Sequence, residues 1–399
     1  MIAGKRTRAA ALLAIVVTGC GGPLLANEPA SHPMVTDAPA ASRLPDPQPV
    51  VLPRDDGAHD RLTEWWYYTG HLADATGSHW GFELVVFRAE RGDFAVSWAS
   101  HLALTDEGGN AFHYAQRSEI GPQVDVTSAA AAATGPAASP VSGAASAFDF
   151  AIRGADPSDP ATLVRDPWAI AGGGGSDRLA AAATAGETRG DAVDGFGLAL
   201  ALEATKPAAL HGGAGWIPFG AAGGSYYYSR TAMSATGTIR VGAKTLQVEG
   251  SAWFDHQWGD FIAIGGGWDW FAVNLDDGTD VTVSIVRAPD GTTPLAYGTL
   301  VDPAGAARTL TAADFTVSSI GTWTSPSTGA AYPAGWTLAL PRDGLTLSIA
   351  PTVAQQELDT RATTGVVYWE GSQRVSATRG GPAIGGRGYV ELTGYPATR

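Results

Sequence analysis

The sequence predicts an all-β chain built as two consecutive antiparallel β-barrels behind an N-terminal export segment and a disordered tether. Three observations carry this prediction. The chain holds 13 Trp, 11 Tyr and 52 Gly, a composition of short aromatic strands joined by glycine turns. Apolar and aromatic runs with a period of two recur from residue 64 to the end. Asp-Gly pairs fall at hairpin spacing: Asp277-Gly278 ends the run WDWFAVNL at 268–275, and Asp290-Gly291 follows the next run.

From the N-terminus, Lys5, Arg6 and Arg8 precede an apolar run over 9–17 that is too short for a permanent membrane span, the pattern of a signal peptide. The run ends in VTGC at 17–20, which resembles the lipobox of bacterial lipoproteins, so 1–19 is read as a lipoprotein signal peptide and Cys20 as the lipidated residue. Cys20 is the single cysteine and has no partner for an intramolecular disulfide. The bland alternative is an ordinary signal peptide cleaved near Ala26. Gly21, where an aspartate would retain a lipoprotein at the inner membrane, points to the outer membrane, facing the periplasm. Residues 20–57 are rich in Pro, Ala and Asp without periodicity and read as a flexible tether. The formal charge is −14, and loss of the three signal-peptide cations makes the remainder more acidic still. That balance argues against nucleic acid and anionic headgroups as partners.

The globular part starts near His59, and its roughly 340 residues suffice for two ordinary β domains. Strand-like runs occur at 64–72, 80–88, 94–105, 196–204, 246–255, 268–275, 280–287, 334–350, 363–377 and 385–394. Consecutive hairpins close most readily as up-and-down barrels. The expected domains are 58–260 and 261–399, with the boundary near 258–263. The segments 128–147 and 171–194, rich in Ala, Gly and Ser, are expected to be loop insertions.

Strand alternation assigns faces to the residues able to do chemistry. In 268–275, Asp269 shares a face with Phe271, Val273 and Leu275, and Trp268, Trp270, Ala272 and Asn274 take the other. A carboxyl on an apolar face without a cation is kept neutral and can donate a proton. In WFDHQW at 253–258, Phe254, His256 and Trp258 look into one space. If Asp269 faces that space too, the three form a site with an acid, a base and a π surface; otherwise His256 is a hydrogen-bonded core histidine. Asp269, His256 and Trp258 are therefore the candidate catalytic residues. Trp66, Tyr68, Trp268, Trp270 and Phe271 are the candidate ligand-binding aromatics. Glu64, Trp66 and Tyr68 share one strand face, whereas Trp65, Tyr67 and His71 share the other. Glu83 and Arg88 offer an ion pair or a substrate clamp, though they fall on opposite faces of an unbroken strand. The chain lacks a Gly-x-Ser-x-Gly elbow and a phosphate-binding glycine loop. Its eight histidines include no pair at ligand spacing on one element, so neither metal nor cofactor is expected.

The segments EWWYYTGHL, WGFELVVFR, SYYYSRTAM at 225–233, GSAWFDHQWGDF at 250–261, GGWDWFAVNLDDG at 266–278, YWEG at 368–371 and GRGYVELTGY at 386–395 resemble the carotenoid 1,2-hydratase (hydroxyneurosporene synthase) and AttH-like family. The resemblance spans nearly all of the chain from about residue 60. It implies two lipocalin-like domains and, in the hydratase branch, cofactor-independent addition of water to an isolated isoprenoid double bond. Asp269 then matches the acid, with His256 and Trp258 as its His-x-Trp neighbours; the family's tyrosine just ahead of the acid is not matched, Gly267 and Trp268 standing there. The expectation is an enzyme acting on a hydrophobic, unsaturated small molecule. The rivals are a non-catalytic carrier of a lipophilic ligand and, with nothing in the sequence to favour it, a hydrolase using a carboxylate pair.

Overall fold

A computed structural model describes residues 45–127, 146–154, 166–220, 223–261 and 266–396. Cys20, the signal peptide and nearly all of the 128–147 segment lie outside the described residues. The described chain is all-β, with a 13-stranded sheet followed by a 10-stranded one. In each, the first strand pairs with the last. Thr63–Asp74 is bonded on one side to His79–Ala89 and on the other to Lys244–Gly259, and Gly267–Leu275 lies between Asp280–Arg287 and Ala383–Thr393. All the ladders are antiparallel, and most strands neighbour the next in sequence; Arg189–Gly190, which pairs with Ala111–Ile120, and Thr316–Ser319, which pairs with Trp336–Leu340, are among the exceptions. The sheets therefore curl as up-and-down half-barrels, each interrupted at one seam. The first opens between Ala111–Ile120 and Phe148–Ile152, where an isolated bridge joins Asp125 to Phe150; the second opens between Ala307–Thr311 and Thr316–Ser319. Both Asp-Gly turns form as the sequence requires, with Gly278 and Gly291 at φ of 81° and 82°, a region that glycine alone enters without strain.

One expectation is corrected. Residues 171–194 are not a loop insertion: Ser176–Ala183 is a strand between Trp168–Gly173 and Phe196–Ala204, and Asp177, Leu179, Ala181 and Ala183 point inward. Alanine carries little intrinsic strand preference, so the alternation was masked by composition.

Each half-barrel fills its concave side with side chains. Trp66, Tyr68, Phe82, Tyr228, Phe254 and Trp258 belong to the first core, and Phe271, Val273, Leu275, Trp336 and Trp369 to the second. The convex sides meet. Tyr67, Glu83, His101 and Asp255 from the first sheet face Trp268, Trp270, Tyr368, Glu370, Tyr389 and Glu391 from the second. Polar side chains close the contact: Lys206 Nζ donates to Asp280 at 2.7 Å, Thr105 Oγ1 to Gln356 Oε1 at 2.8 Å, and His71 Nε2 to the Gly388 carbonyl at 3.0 Å.

Candidate functional site

Two buried clusters of titratable groups stand out. The first lies at the rim of the first core. Register places Trp66 opposite His256 and Glu64 opposite both Trp258 and Arg88, so alternation turns all five inward. Glu64 is fully buried, and its Oε1 accepts from His59 Nδ1 at 2.6 Å and His256 Nε2 at 2.9 Å. Its Oε2 accepts from the His59 backbone N–H at 2.9 Å. The His59 ring stacks on Trp258 with centroids 4.1 Å apart and planes 3° apart, and His256 stacks on Trp66 at 4.6 Å. Burial opposes ionisation of Glu64, but the bonds from His256 and His59 outweigh it and hold the carboxyl below its usual range. Burial likewise opposes a charge on His59, yet Asp55 and Glu64 raise it; His256, wholly enclosed, is lowered by burial.

The second cluster lies between the sheets. Glu370 pairs in register with Glu391, and Glu391 with Trp270, forming a row across the convex face of the second sheet. Glu83 approaches from the first sheet and accepts from Tyr368 Oη at 2.8 Å. Tyr368 Oη in turn accepts from His101 Nδ1 at 2.8 Å. Trp268 Nε1 donates to Glu391 at 2.8 Å. Burial pushes Glu83 up to about 8, despite the Tyr368 bond and with the charge of Glu391 adding to the effect. Burial, reinforced by Glu83 and Glu391, raises Glu370 well above the carboxylate range, and burial raises Glu391 to about 7. Burial also brings nearby Asp255 to about 6, against hydrogen bonds from Ser229, Tyr227 and Trp253. Among the described residues, Tyr67 Oη, Glu83 Oε2 and both Glu370 oxygens make no hydrogen bond of ordinary geometry, although Tyr67 lies near enough to Glu83 and Glu370 to lower both carboxyls. Buried polar atoms are ordinarily satisfied, so loosely bonded oxygens from Tyr67, Glu83 and Glu370 make this an unusual place in the fold.

The structure does not bring Asp269 together with His256 and Trp258. His256 and Trp258 point into the first core and Asp269 toward the second, with the convex-face layer containing Asp255 and Trp270 between them. Asp269 also has a cation: Arg287 Nη1 bonds its Oδ1, and Tyr395 Oη donates to it at 3.1 Å. Burial raises its carboxyl and Arg287 opposes the shift. Trp66, Tyr68 and Phe271 are enclosed in the two cores, Tyr68 donating to Asp177 at 3.0 Å, whereas Trp268 and Trp270 line the second cluster. Glu83 and Arg88 do not pair: Arg88 bonds Glu90 and the His59 carbonyl on the concave side. Glu370 and Glu391 were not singled out from the sequence, although YWEG and GRGYVELTGY contain them. Their signal is the alternation Tyr368, Glu370 and Tyr389, Glu391, which sets an acid and an aromatic on one face twice over. Tertiary structure brings together residues that no single element pairs: among the described residues, His59, Glu64 and His256 have ligand atoms all within 4.8 Å of one another.

The chain matches the family model described as AttH-like over residues 43–395. Among solved structures, a Nitrosomonas europaea chain assigned to AttH is 31% identical, with a TM-score of 0.69 over 87% of this chain and 97% of the other. Kievitone hydratase from Nectria haematococca shares the fold at 15% identity, with a TM-score of 0.61 over 88% of this chain and 94% of its own. Among curated protein sequences, none matches.

Proposed function

Since the chain belongs to the AttH-like family, whose fold it shares with a hydratase, we propose that it adds water to a double bond of a hydrophobic ligand, with Glu83, Glu370 and Glu391 as the acid–base centre. The observation that carries this reading is the three-carboxyl cluster itself, buried among Tyr67, Tyr368, Trp268 and Trp270 without a lysine or arginine among its described partners. Near neutral pH such a cluster holds both protonated and ionised carboxyls, because like charges in a poorly solvated space do not all ionise together. The protonated carboxyl transfers its proton to one alkene carbon and becomes a carboxylate. The neighbouring carbon becomes a cation facing the indole and phenol rings, whose π faces stabilise positive charge. Water adds to that carbon and gives its surplus proton to an ionised carboxylate of the cluster, and transfer of a proton between the neighbouring carboxyls restores the starting state.

Glu391→Gln tests this against the acid assigned by family resemblance, Asp269. Proton-transfer groups contribute about 10²–10⁴-fold, so Glu391→Gln should lower turnover of an isoprenoid alkene by that order while ligand binding persists. Asp269→Asn should leave turnover within about tenfold; the opposite ranking returns the chemistry to Asp269. The carrier reading rests on one observation, an apolar cleft of about 180 Å³ lined by Trp323, Pro333, Ala350, Pro351 and Trp369. If no polyene is turned over but ligand quenches tryptophan fluorescence, the carrier reading stands. We further propose that Cys20 carries a lipid anchor that holds the protein at the outer membrane, where hydrophobic ligands concentrate.

A further inference from the structure

We infer that His59, Glu64 and His256 form a binding site for one divalent transition-metal ion of the zinc class. Three ligand atoms converge from three separate parts of the chain. His59 lies ahead of the first strand, Glu64 at its start, and His256 on the last strand of the same sheet. His59 Nδ1 and His256 Nε2 both point at Glu64 Oε1, at 2.6 and 2.9 Å, so an ion seated among them replaces the hydrogens of those two bonds. Two imidazoles and one carboxylate are a borderline-soft donor set suited to zinc and its first-row neighbours, with further coordination positions left for water or ligand.

The surroundings supply what such a site needs. Trp258 and Trp66 stack on the two rings and fix their planes. Asp55 Oδ1 lies 3.7 Å from His59 Nε2, on the far side of the ring from Glu64, where a carboxylate orients a ligating histidine. The backbone N–H of His59 bonds Glu64 Oε2, leaving Oε1 to face the imidazoles. His256 Nδ1 is buried and has no partner among the described residues, so this ring is held by its stacking on Trp66 and its Nε2 contact, without the outer carboxylate that His59 has in Asp55. The His59 side chain is 21% exposed and provides the way in. On binding, the ion takes the place of the hydrogens shared between Glu64 Oε1 and the two facing ring nitrogens. The ion thereby ties the segment before the first strand to both strands that close the first half-barrel. This inference stands apart from the carboxyl cluster between the sheets and survives if that cluster proves inert.

The test uses the full chain, stripped with a chelator and titrated with Zn²⁺ by calorimetry and with Co²⁺ by its visible d–d absorption. One ion per chain is expected, with the Co²⁺ spectrum showing nitrogen ligation. Glu64→Gln should weaken binding by at least about tenfold, the order seen when even an outer-shell partner of a metal site is lost. His59→Gln, ahead of the strands and so least able to disturb folding, should do the same with an unchanged far-ultraviolet dichroism spectrum. Absence of one-to-one binding in the unaltered chain overturns the site, as does retention of full affinity in His59→Gln.

Discussion

Glu370 and Glu391 stand directly opposite one another on adjacent antiparallel strands, two buried carboxyls side by side with no cation among their described partners. Facing like charges destabilise a ladder, so this pair is tolerated because it is not fully ionised.

Stability should therefore fall as pH rises. The carboxyls of Glu83, Glu370 and Glu391 are all raised in the folded chain, Glu83 to about 8 and Glu391 to about 7 from an ordinary 4.5. Below pH 4.5 their contribution is fully present. Above it, the unfolded chain gives up these protons first, and the contribution is lost as pH climbs through 7 to 8. Thermal unfolding at pH 7 and pH 9, above the range in which the buried, neutral His71, His101, His211 and His256 add stability as pH rises, should differ in this direction by at least about 2 °C. Replacing both Glu370 and Glu391 by Gln should flatten the dependence; an unchanged slope removes the pair as its source.

Arg230 and Asp56 form an ion pair inside the first half-barrel, at 2.8 and 3.0 Å, with Tyr228 bonded to the same carboxylate. Arg230→Met leaves a buried carboxylate without its cation and should cost about 3–5 kcal/mol, measured by urea unfolding. A loss below about 1 kcal/mol, the range of exposed pairs, would mean that solvent reaches Asp56.

Gly81 lets the sheets touch. A Cβ there would lie 2.5 Å from Tyr389 Oη and 2.7 Å from Ser372 Cβ, both across the interface. Gly81→Val should wedge the sheets apart and destabilise by about 1–3 kcal/mol, and it should lower any turnover that needs Glu83 close to Glu370. Normal stability and turnover would show that the interface has slack at this point.

Cys20→Ser should release the protein from the membrane fraction into the soluble one, read by fractionation and blotting. Retention in the membrane would sink the anchor.

The strands and their faces were legible because a period of two survives in the sequence. Asp269 with Phe271, Trp268 with Trp270, and Glu64 with Trp66 and Tyr68 all take the sides that alternation assigns. What alternation leaves open is which face meets which. Asp269 and His256 were candidates for one space, but the sheets pack through their convex sides and keep both residues on concave ones. Glu83 and Glu64 likewise have long-range partners: Tyr368 is 285 residues from Glu83, and His256 is 192 from Glu64. No local pattern encodes such separations. The strand Ser176–Ala183 was hidden for a different reason, since alanine fills both faces of its second half and one inward position is Asp177.

The pairing of first strand with last in the first half-barrel also sets the order in which the chain acquires its chemistry. Bringing Glu64 to His256 closes a loop of nearly two hundred residues, and the entropy of that closure must be met before the ladder returns any bonding. Such non-local topologies fold at the slow end of the range. The His59–Glu64–His256 cluster exists only once the ring of strands is joined, and the carboxyl cluster only once two rings are joined and docked. A nascent or partly folded chain thus carries neither, and its acids remain ordinary solvated carboxylates until the last assembly step is complete.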